Sequence, residues 1–183
     1  MRALQITDLS GPDAVRVVDV AEPEASHPFT PGPGGGGVLI DVRAAAVSFP
    51  DLLQTRGLYQ FKPELPFVPG AEVAGEVIQA PADSGLAPGQ RVAAFTALGG
   101  MAERAVALPF MTFALSDALD FGQGAARILN HHTAYFAPRL RGRLASGEQV
   151  LVHGGAGGWG PPRCRWPAAS VRAPSPSSRS PGQ

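Results

Sequence analysis

The sequence is short of cysteine, lysine and long apolar runs, and each shortage removes a class of protein. Cys164 is the only cysteine, so the chain can build neither an internal disulfide framework nor a cysteine-rich zinc lobe. A lone thiol fits a reducing compartment, and the cytoplasm is the expected location. No apolar stretch approaches the length of a membrane span. The start, Met1-Arg-Ala-Leu-Gln-Ile6, opens directly on a strand-like pattern that Asp8 interrupts, unlike a secretory leader. Lys62 is the one lysine among 15 basic residues, and 15 acidic residues balance them. A formal net charge of zero provides no global field for nucleic acid or a membrane surface. Neither is an expected partner.

What is present is a chain of 183 residues, 44% hydrophobic, with 23 glycines and 19 prolines. That length suits one domain or one and a half. Arg2–Ile6 and Ala14–Val20 read as strands joined at Gly11-Pro12. Glu22–Gly37 is a Pro/Gly-rich loop. Its run Gly34–Gly37 reads as a flexible turn, because no strand directly precedes it as a phosphate cradle requires. Val38–Val47 is a mostly buried strand. Pro50 then starts a short helix, with Ser48 or Phe49 near its cap and Gly57 as its stop. Asp51 in its first turn complements the helix dipole, with general acid chemistry as the alternative. Leu58–Gly70 is an irregular loop punctuated by Pro63, Pro66 and Pro69.

Ala71–Gln79 alternates like a strand, and Gly75 inside it predicts a bulge or the close approach of another backbone. Arg91–Phe95 and Met101–Leu108 follow as strands. Up to here the pattern is that of a small barrel or sandwich. It then changes. Asp117–Asn130 predicts an amphipathic helix capped by Ser116, and His131–Leu144 a second one weakened by Pro138. Adjacent His131 and His132 point in different directions on a helix and cannot chelate together. His153 is read as packing or bonding backbone.

Val150-Leu-Val is a buried strand, and a glycine run follows it. Gly155, Gly157 and Gly160 fit G-x-G-x-x-G, the turn that lets a pyrophosphate approach backbone N–H groups at a helix N-terminus. The helix that the motif requires is missing from the sequence. Residues 159–183 hold six prolines, four arginines and no acid, a composition that reads as disordered.

The order of these segments resembles the medium-chain dehydrogenase/reductase superfamily, and within it the zinc-free, zeta-crystallin-like quinone oxidoreductases. The resemblance is carried by Val38–Ala46, by Val47-Ser-Phe-Pro-Asp-Leu-Leu-Gln-Thr-Arg-Gly-Leu-Tyr59 and by Leu65-Pro-Phe-Val-Pro-Gly-Ala-Glu-Val-Ala-Gly-Glu76. Pro88–Val92, Thr133-Ala-Tyr135 and Gln149–Gly158 extend it. It implies a GroES-like β-barrel over residues 1–115, and the first strand and glycine turn of a Rossmann domain over 116–158. It also implies hydride transfer from NADPH, with NADH as the alternative, to a quinone or an α,β-unsaturated carbonyl. Full-length relatives are expected to be homodimers. Ser48 takes the place of an Asn beside the nicotinamide, Tyr59 that of a tyrosine lining the cleft, and Thr133 that of a threonine at the cofactor site. Gly155, Ala156, Gly157, Gly158 and Gly160 correspond to the phosphate-binding turn. Residue types alone favour packing of Tyr59 on Pro63 or Pro66; the motif context reverses that.

Zinc-dependent members carry a Cys near Ser48–Asp51 and a His in Gly-His-Glu. This chain has Ser-Phe-Pro-Asp and Gly70-Ala71-Glu72, and no zinc is expected. Glu72 is read as a loop or strand-edge carboxylate that bonds neighbouring backbone.

After Gly158 the resemblance stops. Restoring one G ahead of the Trp159 codon turns Trp159–Pro167 into codons that permit Val-Gly-Thr-Ala-Ala-Val-Gln-Val-Ala, close to the family's helix. The sequence therefore reads as out of frame from Trp159. On that reading the chain is poorly stable and binds nicotinamide cofactor weakly or not at all. A barrel fragment without catalysis, or a pseudogene product that binds no cofactor, is the competing reading.

Overall fold

The computed structural model describes residues 1–26 and 36–151, and the backbone of 170–172. The chain divides into two compact units, Met1–Ile128 and Leu129–Gln183.

The first unit is built on strands. β1 (Arg2–Ile6) and β2 (Val15–Asp19) pair antiparallel, with Arg2 opposite Asp19 and Ile6 opposite Val15. The connection turns at Gly11, whose φ of 117° favours glycine. β1 is tied to the rest of the unit by Leu4 N–H donating to Met101 O at 2.8 Å and Ile6 N–H donating to Phe67 O at 2.9 Å. Five further strands, β3 (Val38–Ala45), β4 (Glu72–Gln79), β5 (Arg91–Phe95), β6 (Arg104–Ala107) and β7 (Thr112–Ala114), make one antiparallel sheet. Its order is β6-β3-β4-β5-β7, which puts β4 at the centre. The connection from β3 to β4 carries the short helix α1 (Phe49–Gln54) where Pro50 and Gly57 predict one.

The period-two pattern explains where the core lies. Val38 and Ile40 on β3, Val73 and Val77 on β4, Val92 and Ala94 on β5, and Ala105 and Ala107 on β6 gather into the main core. Fully burying each valine or isoleucine contributes about 1.5–3 kcal/mol. The alternate residues Ala74 and Ala93 face the other way and pack with Ala125 and Ile128, flanked by Leu115 and Phe121. The small side chains on that face let a helix lie close.

That helix is shorter than its sequence predicts. In place of one helix over Asp117–Asn130 there is α2 (Phe121–Ala125), and α3 (Ile128–Tyr135) begins after a break. The cap is Asp120 rather than Ser116. Asp120 Oδ1 accepts from Gln123 N–H at 2.6 Å and Gln123 Oε1 accepts from Asp120 N–H at 3.2 Å, a reciprocal pair that fixes the start. Ser116 Oγ instead accepts from Ala118 N–H at 3.3 Å, in a turn. A Cβ on Gly124 would sit 2.9 Å from Leu115 and 3.2 Å from Ala74 Cβ, so glycine sets the approach of α2 to the sheet.

Past α3 the backbone widens into a π-type turn over Phe136–Arg141, with Gly142 N–H donating to Ala137 O at 2.7 Å. Pro138, which lacks an N–H, falls inside it, so the predicted helix over His131–Leu144 does not run through. β8 (Gln149–Leu151) pairs in parallel with β9 (Ser170–Arg172). The Val150 strand thus has a parallel neighbour that its sequence surroundings do not announce. It comes from the Pro- and Arg-rich stretch.

Candidate active site

Ser48 and Tyr59 bracket α1 in the first unit. The helix starts at Ser48 because Ser48-Phe-Pro-Asp51 is a capping-box sequence with Pro50 in its first turn. Asp51 Oδ2 accepts from Ser48 N–H at 2.7 Å and from Ser48 Oγ–H at 2.8 Å. Asp51 Oδ1 accepts from Gly70 N–H at 3.2 Å, 19 residues further along the sequence. Asp51 is buried, and Ser48 is half-buried. The carboxylate therefore does more than complement a dipole: it clamps the start of α1 to the turn at Gly70.

Gly70 is itself held on its other side. Its carbonyl accepts from Thr96 Oγ1 at 3.0 Å and from Gly100 N–H at 2.9 Å. Its φ is 99°, and a Cβ there would lie 2.6 Å from Met101 N. Only glycine fits both demands. At the far end of α1, Gly57 adopts a φ of 63° and turns the chain toward Tyr59, which is half-buried in the loop that follows. Val47, Phe49, Leu58 and Phe61, the large apolar neighbours of Ser48 and Tyr59 in sequence, are all exposed. A shallow groove of about 400 Å³ runs beside β1, β3 and Gly100–Glu103. Its wall includes Val47 but neither Ser48 nor Tyr59.

The sequence reading puts Glu72 in a loop or at a strand edge. It is the first residue of β4, between β3 and β5, and is 1% exposed. Its carbonyl accepts from Ala46 N–H at 3.0 Å. Sequence alone does not show that β4 is central, and that position is what buries the side chain. Among the described residues no three His, Cys, Asp or Glu side chains gather as a metal site requires.

In the second unit Thr133 lies on α3, where its hydroxyl donates to Leu129 O at 2.7 Å, one turn back. His131 is half-buried and the adjacent His132 exposed, as expected of neighbours on a helix. Gly155, Ala156, Gly157, Gly158 and Gly160, with His153 and Cys164, lie outside the described residues. What residue-by-residue reading missed is the joint role of Asp51 and Gly70. The S-x-x-D spacing directly before an apolar helix turn signals the Ser48–Asp51 pair, and no local signal points to Gly70.

Residues 34–116 match the alcohol dehydrogenase GroES-like domain. The chain is 37% identical to the quinone oxidoreductase of Rattus norvegicus over 168 residues, covering 90% of this chain and 49% of that protein. Among solved structures it superposes on a probable oxidoreductase from Mycobacterium abscessus with a TM-score of 0.83 and 45% identity, over 94% of this chain and 54% of the other. The quinone oxidoreductase from Thermus thermophilus, also solved in complex with NADPH, gives a TM-score of 0.78 at 32% identity, over 94% and 52%. The fold and the matched domain make the first unit a GroES-like domain of the alcohol dehydrogenase type. Over the aligned span the chain resembles the quinone oxidoreductase branch of the medium-chain dehydrogenase/reductase superfamily. It spans about half the length of the curated relatives it matches.

Proposed function

We propose that this chain carries the barrel half of an oxidoreductase that passes hydride from NADPH to a quinone or an α,β-unsaturated carbonyl without zinc. NADH is the alternative donor. Bound there, the nicotinamide supplies the hydride; the chain's own residues supply orientation and exclude water. Ser48, held by Asp51, marks the nicotinamide position. Tyr59 lines the acceptor side. Thr133 and the turn Gly155, Ala156, Gly157, Gly158 and Gly160 hold the rest of the cofactor. The zinc-free reading rests on residue types: Ser48 and Ala71 stand where a metal site needs Cys and His. The organisation that goes with it is a catalytic barrel over 1–115, the start of a cofactor domain over 116–158 and an out-of-frame segment over 159–183. The cytoplasm, and a homodimer for the full-length form, complete the reading. No helix among the described residues is long and apolar enough to cross a membrane.

The observation that carries this proposal is the clamp of Ser48 by Asp51 within a fold shared with quinone oxidoreductases. The test is NADPH oxidation driven by a quinone, measured for the 183-residue chain and for a version restored to frame after Gly158. Turnover by the restored protein is the expected result, with little or none by the shorter one. A restored protein that folds, binds NADPH and reduces no quinone or enone overturns the reading. The second reading, a barrel fragment without catalysis, is favoured by Pro161 and Pro162 in the sequence, which remove two N–H groups just after the glycine run. It gains if the restored protein never binds cofactor.

A further inference from the structure

We infer that Asp51 fixes Ser48 as a hydrogen-bond acceptor, so that this position selects a bound group carrying an N–H or O–H donor. This rests on the proposed placement of the nicotinamide beside Ser48. A serine hydroxyl has one proton and two acceptor lone pairs. Here the proton is committed: Ser48 Oγ lies 2.8 Å from Asp51 Oδ2. That carboxylate also receives the Ser48 N–H at 2.7 Å and the Gly70 N–H at 3.2 Å. Three donors converge on it, and an ionised carboxylate has none to give back. The proton on Ser48 Oγ therefore points at Asp51, whose N–H meets the same oxygen in the capping box, so the half-buried hydroxyl has only acceptor capacity left.

The six-residue helix α1 offers no site of its own here. What is on offer is one oxygen of fixed polarity, held by a buried carboxylate that is itself locked to the Gly70 turn. An asparagine in that place would present both a donor and an acceptor. Ser48 presents an acceptor only. A primary carboxamide, as on a nicotinamide ring, satisfies it. A bare ketone or quinone carbonyl at the same position meets lone pair with lone pair and is rejected. Ser48 is thus a specificity-determining contact for the cofactor ring and gives no stabilisation to a reduced oxygen on the acceptor. Asp51 acts through it as a positioning residue.

The test uses the protein restored to frame after Gly158 and two neutral ring probes of similar shape, nicotinamide and 3-acetylpyridine, which carries a methyl in place of the amide NH₂. Binding is followed through the ¹⁵N–¹H shifts of Ser48 and Gly70. Nicotinamide is expected to move both signals and to bind about ten-fold more tightly than 3-acetylpyridine. Ser48→Ala should erase the preference, and Ser48→Thr, which keeps the hydroxyl, should retain it. The amide spectrum shows directly whether each variant is folded. Equal binding of the two probes, or a preference that survives Ser48→Ala, overturns the inference and leaves the cofactor placement standing. If neither probe moves these signals, the cofactor placement itself falls and the inference with it.

Discussion

Gly75 on β4 faces the carbonyl of Asp41 on β3 so closely that a Cβ added to Gly75 would lie 2.0 Å from the oxygen. The ladder between the two strands slips a register at the same place, between Val42 and Ala44. A glycine and a bulge together let two central strands approach where any side chain would hold them apart. Gly75→Ala is therefore expected to lower stability by about 2–3 kcal/mol, because the obstacle is backbone and cannot swing aside. Urea unfolding of the two chains checks this. A loss of only a few tenths of a kcal/mol would mean that the strands separate at little cost.

Arg91 holds the segment that leads into α2. Its guanidinium donates to Ser116 O at 3.2 Å and Leu119 O at 2.6 Å, pairs with Asp117 at 3.0 Å, and lies 4.7 Å from the centre of the Phe121 ring. Asp117 is almost fully exposed, so the ion pair is the weakest of these contacts. Arg91→Ala should cost about 2 kcal/mol through the lost carbonyl and ring contacts, while Asp117→Asn should change stability by less than about 0.5 kcal/mol. Lysine cannot fork to two carbonyls, and Arg91→Lys should recover less than half of the loss. Thermal unfolding of the three variants separates the contributions. Amide exchange at residues 119–125 should rise in Arg91→Ala.

Glu103 gives the chain a defined acid dependence. Its carboxylate accepts from Arg2 N–H at 2.9 Å and from Arg2 Nε at 2.8 Å. The Arg2 backbone N–H first and its guanidinium second hold the carboxyl below its ordinary value, against the opposing effect of desolvation. A lowered value in the folded chain means that the stabilisation is complete above the ordinary glutamate range. It fades as the pH falls through the folded-state value. The melting temperature of the native chain should exceed that of Glu103→Gln by a small margin at neutral pH, and the two curves should converge in acid. A gap that stays constant across that range would rule out the linkage.

The break after Gly158 is testable in the coding DNA. One base restored at the Gly158–Trp159 junction should open a frame that continues as an amphipathic helix in place of Trp159–Pro167. Re-reading the DNA on both strands is the measurement. If no base is missing there, the sequencing-error form of the frame hypothesis is wrong, and a deletion in the gene itself or a divergent tail is left.

Local chemistry made much of the first unit legible. Hydrophobic alternation located β1 to β6 to within a few residues, and proline and glycine marked the start and stop of α1. Gly75 marks a bulge or a close approach of another backbone, because glycine in a strand has few other uses. Glu72 was not legible, since burial of its side chain depends on which strands flank β4, and pairing order is a non-local property. The length of α2 was not legible either: the reciprocal bonds of Asp120 and Gln123 competed with Ser116 for the helix start, and contact of Gly124 with Leu115 and Ala74 fixed where the helix lies. For the candidate site, the sequence by itself determined what Ser48, Asp51 and Tyr59 can donate or accept, because residue type sets that; their roles at a cofactor are proposed from the resemblance. Only the tertiary structure decided the direction of the Ser48 hydroxyl. That direction depends on a carboxylate shared with Gly70, and only folding brings Gly70 to Asp51 from 19 positions away in the chain.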